Sequence, residues 1–121
     1  MIRTKRIYDP PAPEDGYRLL VMRLWPRGIP KEAVNGWERE LGPSRELLED
    51  WRRGRVPWEE FARRYRQEVL AKEQLVASVV RLARQGTTTI LCSCTDDERC
   101  HRALLKGLVE KALRSPEGDG G

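Results

Sequence analysis

Residues 92 to 102 read Cys-Ser-Cys-Thr-Asp-Asp-Glu-Arg-Cys-His-Arg. All three cysteines of the chain and its single histidine fall in this block. Thiols and an imidazole this close together offer three kinds of chemistry. Cys92, Cys94 or Cys100 could be a nucleophilic or redox thiolate, with His101 as acid or base. Cys92, Cys94 and Cys100, with His101, could hold zinc or iron. Against this, Cys92 and Cys94 lack the usual two-residue spacer, and two neighbours on a helix diverge by about 100°. A helix start here could bind phosphate, if Arg99 and Arg102 overcome Asp96, Asp97 and Glu98. A fourth reading is structural: buried free cysteines are common, and His101 would sit at a core edge. The block is not a Cys-x5-Arg phosphatase loop, because the sixth residue after Cys94 is Cys100.

Two elements must position these groups. Thr87 to Leu91 holds three threonines, Ile and Leu, and is the strongest strand in the chain. A helix is expected from about Asp97 to Leu113, with Leu104, Leu105, Leu108 and Val109 on its apolar side. Thr95 and Glu98 have capping-box spacing, and Asp96 is a second N-cap candidate. Either start leaves Cys94 outside the helix and Cys100 about one turn inside. The positive helix end would favour a thiolate, as would a protonated His101. Asp97, four residues before His101, could orient the imidazole. In open α/β sheets, ligands bind beyond the carboxyl ends of the strands.

Upstream, Ile2 to Tyr8 reads as a first strand, and a Pro-rich loop follows to Gly16. Tyr17 to Trp25 reads as a second strand around Leu19-Leu20-Val21-Met22. If it runs to Trp25, then Arg23 and Trp25 share a face. Arg23, Trp25 and Arg27 could then clamp and stack an anionic ligand such as a nucleotide. Their other role is to pack a turn and pair with acids. Lys31 to Leu41 reads as a weak helix interrupted by Gly36. Ser44 is a good N-cap for a helix over 45–53. Trp58, Phe61, Ala62, Tyr65 and Val69 mark the next helix, and Leu75, Val76, Val79, Leu82 and Ala83 a third. Arg52, Arg53, Arg55, Arg63, Arg64 and Arg66, interleaved with aromatics, could mark a nucleic-acid footprint. Glu59–Arg63 and Glu60–Arg64 have the i,i+4 spacing of a solvated face, which is the favoured reading. Strands separated by helical patterns imply one small α/β domain over 1–114, with a short, mainly parallel sheet covered by helices. Residues 115–121 read as a flexible tail.

At 121 residues, the chain has room for one domain. Lys and Arg total 23 against 19 acids, for a net charge of +4. That balance favours anionic partners only weakly. The Arg-rich, charge-dense composition also suits a thermophile or a GC-rich genome. No apolar run approaches the roughly 18 residues of a membrane span, and the start has no secretion signal. A cytoplasmic protein without a membrane partner is expected. An odd cysteine count argues against a disulfide framework.

Arg23-Leu24-Trp25-Pro26-Arg27-Gly28 is a distinctive stretch. With Arg3-Thr4-Lys5-Arg6-Ile7-Tyr8-Asp9, Trp58-Glu59-Glu60-Phe61, Arg64-Tyr65 and the 92–102 block, it resembles the YeaO-like family of bacterial proteins, domain of unknown function 488. The resemblance covers most of residues 1 to 114. Family members often carry an acid where this chain has Met22, and a Gly-His-Asp-Pro-like turn where Trp51 here leads into Arg52-Arg53-Gly54. They also often have Pro where this chain has Asp97. The family has no established reaction, so the resemblance implies a fold and a site rather than a substrate. The leading expectation is a site of Arg23, Trp25, Arg27, Arg102, Cys92, Cys94, Cys100 and His101 for a small anionic ligand, such as a nucleotide or modified base. No cofactor is expected, with zinc or iron as the alternative. A non-catalytic nucleic-acid or partner-binding module and a metal or redox sensor are the competing functions.

Overall fold

The computed structural model describes residues 1–114; the expected 115–121 tail lies outside the described residues. Among the described residues, four strands form one parallel sheet: β1 (Ile2–Arg6), β2 (Tyr17–Leu20), β3 (Gly36–Trp37) and β4 (Thr88–Cys92). Their order across the sheet is β1-β4-β2-β3. Four helices accompany them: α1 (Arg45–Arg52), α2 (Trp58–Leu70), α3 (Glu73–Gln85) and α4 (His101–Leu113). The expected small α/β fold with a parallel sheet is what forms. No helix among the described residues is long and apolar enough to cross a membrane.

β4 is central and buried along its whole length, as its β-branched run implies. The helices supply the larger core on one side, where Phe61, Tyr65, Val69, Val79, Leu105 and Val109 pack on Leu19, Val21 and Ile90. Loops cover the other side, where Ile7, Leu20 and Leu91 meet Met22, Trp25, Ile29 and Val34. Ser44 caps α1 as expected: its Oγ accepts the Leu47 N–H at 3.2 Å and donates to Glu68 at 2.6 Å.

Two expectations are corrected. Lys31 to Leu41 forms no α-helix, only single 3-10 turns at Lys31–Ala33 and Arg39–Leu41 on either side of β3. Asn35 and Glu38 donate backbone N–H groups to Arg18 and Leu20 at 2.8 Å each, so the segment extends the sheet edge beside β2. A Cβ on Gly36 would lie 2.5 Å from the Tyr17 hydroxyl, so glycine leaves the space that the Tyr17 ring end occupies. The second strand ends at Leu20, not Trp25. Without strand alternation, Arg23 and Trp25 go different ways.

Asp15 anchors the loop side. It is 1% exposed and meets Lys5 at 3.1 Å, Arg18 at 2.5 Å and the Ala12 N–H at 3.0 Å. Burial pushes its carboxyl up, but the Ala12 N–H, Lys5 and Arg18 outweigh that and hold it below the usual range. A carboxyl lowered in the folded state contributes stability above its unfolded value, about 3.9, and loses it as pH falls toward the folded value. Asp15→Asn should cost about 3 kcal/mol at neutral pH. It should also flatten the loss of stability below about pH 4, relative to wild type. Urea unfolding at pH 7 and at acid pH measures both.

Candidate functional site

The sheet register sets Leu20 opposite Leu91, so the chain leaves β2 and β4 side by side at the carboxyl edge. From β2 come Val21 to Leu24; from β4 comes the cysteine block. Cys92 closes β4, fully buried. Beyond it, Asp96 Oδ1 accepts the N–H groups of Glu98 and Arg99 at 3.0 and 3.1 Å. Such a side-chain turn competes with helix formation. The helix α4 therefore begins at His101 rather than near Asp97. Cys100 is its N-cap, in extended backbone at φ −147° and ψ 148°.

This corrects the objection that Cys100 and His101 must diverge. That objection assumed both were helical. With Cys100 extended, its Sγ lies 3.9 Å from His101 Nδ1 and 2.9 Å from Cys92 Sγ. All three cysteines are free thiols. The ligand atoms of Cys92, Cys94, Cys100 and His101 all lie within 4.8 Å of one another.

His101 Nε2 lies 2.6 Å from the Val21 carbonyl. A carbonyl only accepts, so the proton is on Nε2 and the Nδ1 lone pair faces the thiols. Tyr65 packs edge-on against the ring, at 5.6 Å between centroids. Asp97 does not orient the imidazole, as i,i+4 spacing predicts, because it precedes the helix and pairs with Arg102 instead.

Arg102 has no exposed surface. Its Nη1 donates to Cys92 Sγ at 2.9 Å and to the Cys94 carbonyl at 3.0 Å, and reaches Cys100 Sγ at 3.5 Å. Hydrogen bonds from Cys100, then Cys94, hold the Cys92 thiol far below its ordinary range despite burial, with help from the Arg102 charge. The Cys92 contact pushes Cys100 far up. At Cys94, the contact with Cys100 pulls downward, but Cys92 and burial outweigh it and push the thiol up to about 11. The contacts thus favour ionisation at Cys92 over its two neighbours, with the buried Arg102 as counter-ion.

A cleft of about 850 Å³ opens above this cluster, lined at its base by Cys94, Cys100 and His101. Leu48, Trp51 and Phe61 form an apolar wall. Five arginines line it (Arg23, Arg45, Arg52, Arg53 and Arg99), against Glu49 and Asp96. Arg23 is tied to Glu40 at 2.9 Å and Arg53 to Glu49 at 3.0 Å. Arg45, Arg52 and Arg99 are exposed and make no ion pair among the described residues.

Of the residues singled out from sequence, Arg23, Cys94, Cys100 and His101 therefore share the cleft, with Cys92 directly behind. Arg102 faces the sulfurs instead of the cleft. Trp25 lies on the other face of the sheet, donating to the Ile29 carbonyl at 2.8 Å and packing against Trp37. Arg27 is exposed beside Tyr8, whose hydroxyl donates to its carbonyl. Sequence reasoning missed the contribution of α1. Arg45, Glu49, Arg52 and Arg53 repeat at i, i+4, i+7 and i+8, the spacing of one helix face, and that was the available signal. The basic stretch 52–66 is divided: Arg63 pairs with Glu60 and Arg64 with Asp50, rather than in the expected i,i+4 pairs.

The model of the inactive DUF488-N3 subclade matches residues 1–121. The chain belongs to the YeaO-like DUF488 family. It is 37% identical over 106 residues to the uncharacterized protein YeaO of Escherichia coli strain K12, covering 86% of this chain and 92% of that protein. It is 34% identical over 110 residues to the uncharacterized protein Mb3100c of Mycobacterium bovis, covering 89% and 92%. The uncharacterized protein Rv3073c of Mycobacterium tuberculosis H37Rv matches to the same extent. No solved structure gives a significant match.

In reduced, chelator-treated protein, ultraviolet thiolate absorption should show one thiolate per chain at about pH 6, well below the unperturbed thiol value of about 8.5. In folded Arg102→Met that step should move up toward the ordinary range. If all three thiols of the wild type ionise only above about pH 8, Cys92 is not held as a thiolate.

Proposed function

We propose that this cleft binds a small organic anion, of the size and kind of a nucleoside phosphate, without turning it over. The observation that carries the reading is the arginine-rich rim. Among the described residues, Arg45, Arg52 and Arg99 stand exposed without an ion-pair partner around an apolar wall containing Trp51 and Phe61. Guanidinium forks suit phosphate and carboxylate oxygens, and the wall suits a planar ring. A volume of about 850 Å³ falls within the range of small-molecule sites. The subclade's description as inactive supports binding rather than catalysis. The His101 proton faces the Val21 carbonyl, away from the thiols, which also fits a positioned rather than a proton-transferring imidazole. A nucleic-acid module is less well supported, because Arg63 and Arg64 are engaged by acids and no continuous basic stripe runs along α2.

Calorimetric titration with the common nucleoside monophosphates, inorganic phosphate and free nucleosides tests the proposal. At least one monophosphate should bind more tightly than either of its parts. Arg52→Ala and Arg99→Ala should each weaken it about tenfold, the loss of one charged hydrogen bond of about 1.5 kcal/mol. Melting temperature should stay unchanged, since both side chains are exposed and make no ion pair among the described residues. Equal binding by wild type and the double variant sinks the reading. A steep multi-charge salt dependence on generic DNA or RNA moves the function to nucleic acid.

A further inference from the structure

We infer that Cys92, Cys94, Cys100 and His101 form a tetrahedral zinc site at the base of the cleft. Three thiols and one imidazole are a closed structural-zinc donor set. Their ligand atoms lie within 4.8 Å of one another. Thiolates sharing a tetrahedral zinc at about 2.3 Å sit about 3.8 Å apart. Cys92 and Cys100, now at 2.9 Å, need to part by under 1 Å, which side-chain rotation supplies. The sulfur of Cys100 and the Nδ1 of His101 are at 3.9 Å, already close to the required separation.

The surroundings match a metal centre in two further respects. A metal-bound histidine almost always gives its second N–H to a carbonyl or carboxylate, and His101 gives Nε2–H to Val21 at 2.6 Å. This fixes the tautomer with the free lone pair toward the sulfurs. Charge also balances. Zinc with three thiolates carries one net negative charge, which would be costly in a buried site. Arg102, fully buried with Nη1 at 2.9 Å from Cys92 Sγ, supplies the opposing charge. Its second bond, to the Cys94 carbonyl at 3.0 Å, holds the loop that carries the third sulfur. Cys94 and His101 border the cleft, which provides the entry path.

The proposal does not rest on the anion reading, and every arm of its test is read without an organic anion. Full-length protein expressed with zinc in the medium and purified under reducing conditions is assayed for metal. One zinc per chain is expected. Chelator-stripped, reduced protein is then titrated with cobalt(II). An equimolar end-point, with tetrahedral ligand-field bands and thiolate-to-cobalt charge transfer, is expected. Cys94→Ala, checked as folded by circular dichroism, should weaken zinc binding by more than the roughly 10–100-fold that losing an outer-sphere partner costs. His101→Gln should reduce the cobalt bands while leaving part of the charge transfer. Iron in place of zinc overturns the assignment. So does a Cys92–Cys100 disulfide with no bound metal, or reduced protein giving no tetrahedral cobalt spectrum. A folded Cys94→Ala protein that binds zinc as tightly as wild type removes Cys94, and with it the closed site.

Discussion

A fully buried guanidinium constrains the rest of this molecule. Arg102 must find partners for its charge, and it finds them on three sides of one turn: a sulfur at the end of β4, the carbonyl of Cys94, and Asp97. Because β4 is central in the sheet and α4 packs on it, the side chain pins the end of the strand to the start of the helix. The intervening loop has little freedom left. Removing a buried charge's partners costs several kcal/mol, so this turn holds one shape. The cleft inherits its base from that shape.

A second connection runs sideways. His101 reaches from α4 to the Val21 carbonyl just beyond β2. The two loops that emerge at the carboxyl edge are thereby tied to each other as well as to the sheet. Tyr65 from α2 closes the far side of the imidazole and anchors its own hydroxyl on the Leu41 carbonyl at 2.7 Å. Three elements distant in sequence thus fix one ring. The sulfur cluster is the meeting point of these supports, and the arginine rim is what they leave facing solvent.

The fold class was legible because it depends on periodicity. The Thr-rich β4 and the apolar stripes of α2, α3 and α4 announce themselves. The cysteine block was legible as a site because it sits where a strand gives way to a helix. Its geometry was not. That depended on a contest between Asp96 as a helix cap and Asp96 as a turn former, and single-residue propensity does not decide it. The turn won, Cys100 became extended, and the donors converged. The 23–27 stretch failed in the opposite direction. Composition marked Arg23, Trp25 and Arg27 as one unit, but β2 stops at Leu20. Trp25 then fills the loop-covered core, because Ile7, Leu20 and Leu91 need cover on that side. Residues 35–38 joined the sheet edge by backbone hydrogen bonds, which leave no mark in the side chains.

The order β1-β4-β2-β3 has a consequence for how the chain is made. The first two strands do not touch; each pairs with β4, which begins at Thr88. A growing chain therefore emerges with only the short β2–β3 contact available to its sheet. The helical layer packs on the same strand through Ile90. Long-range pairing of this kind delays folding until late contacts close. Cys92, the last residue of that strand, leaves the ribosome within nine residues of Cys100. All three thiols thus appear together, as the sheet first becomes able to enclose them. Assembly of the scaffold and assembly of the sulfur cluster are the same late event.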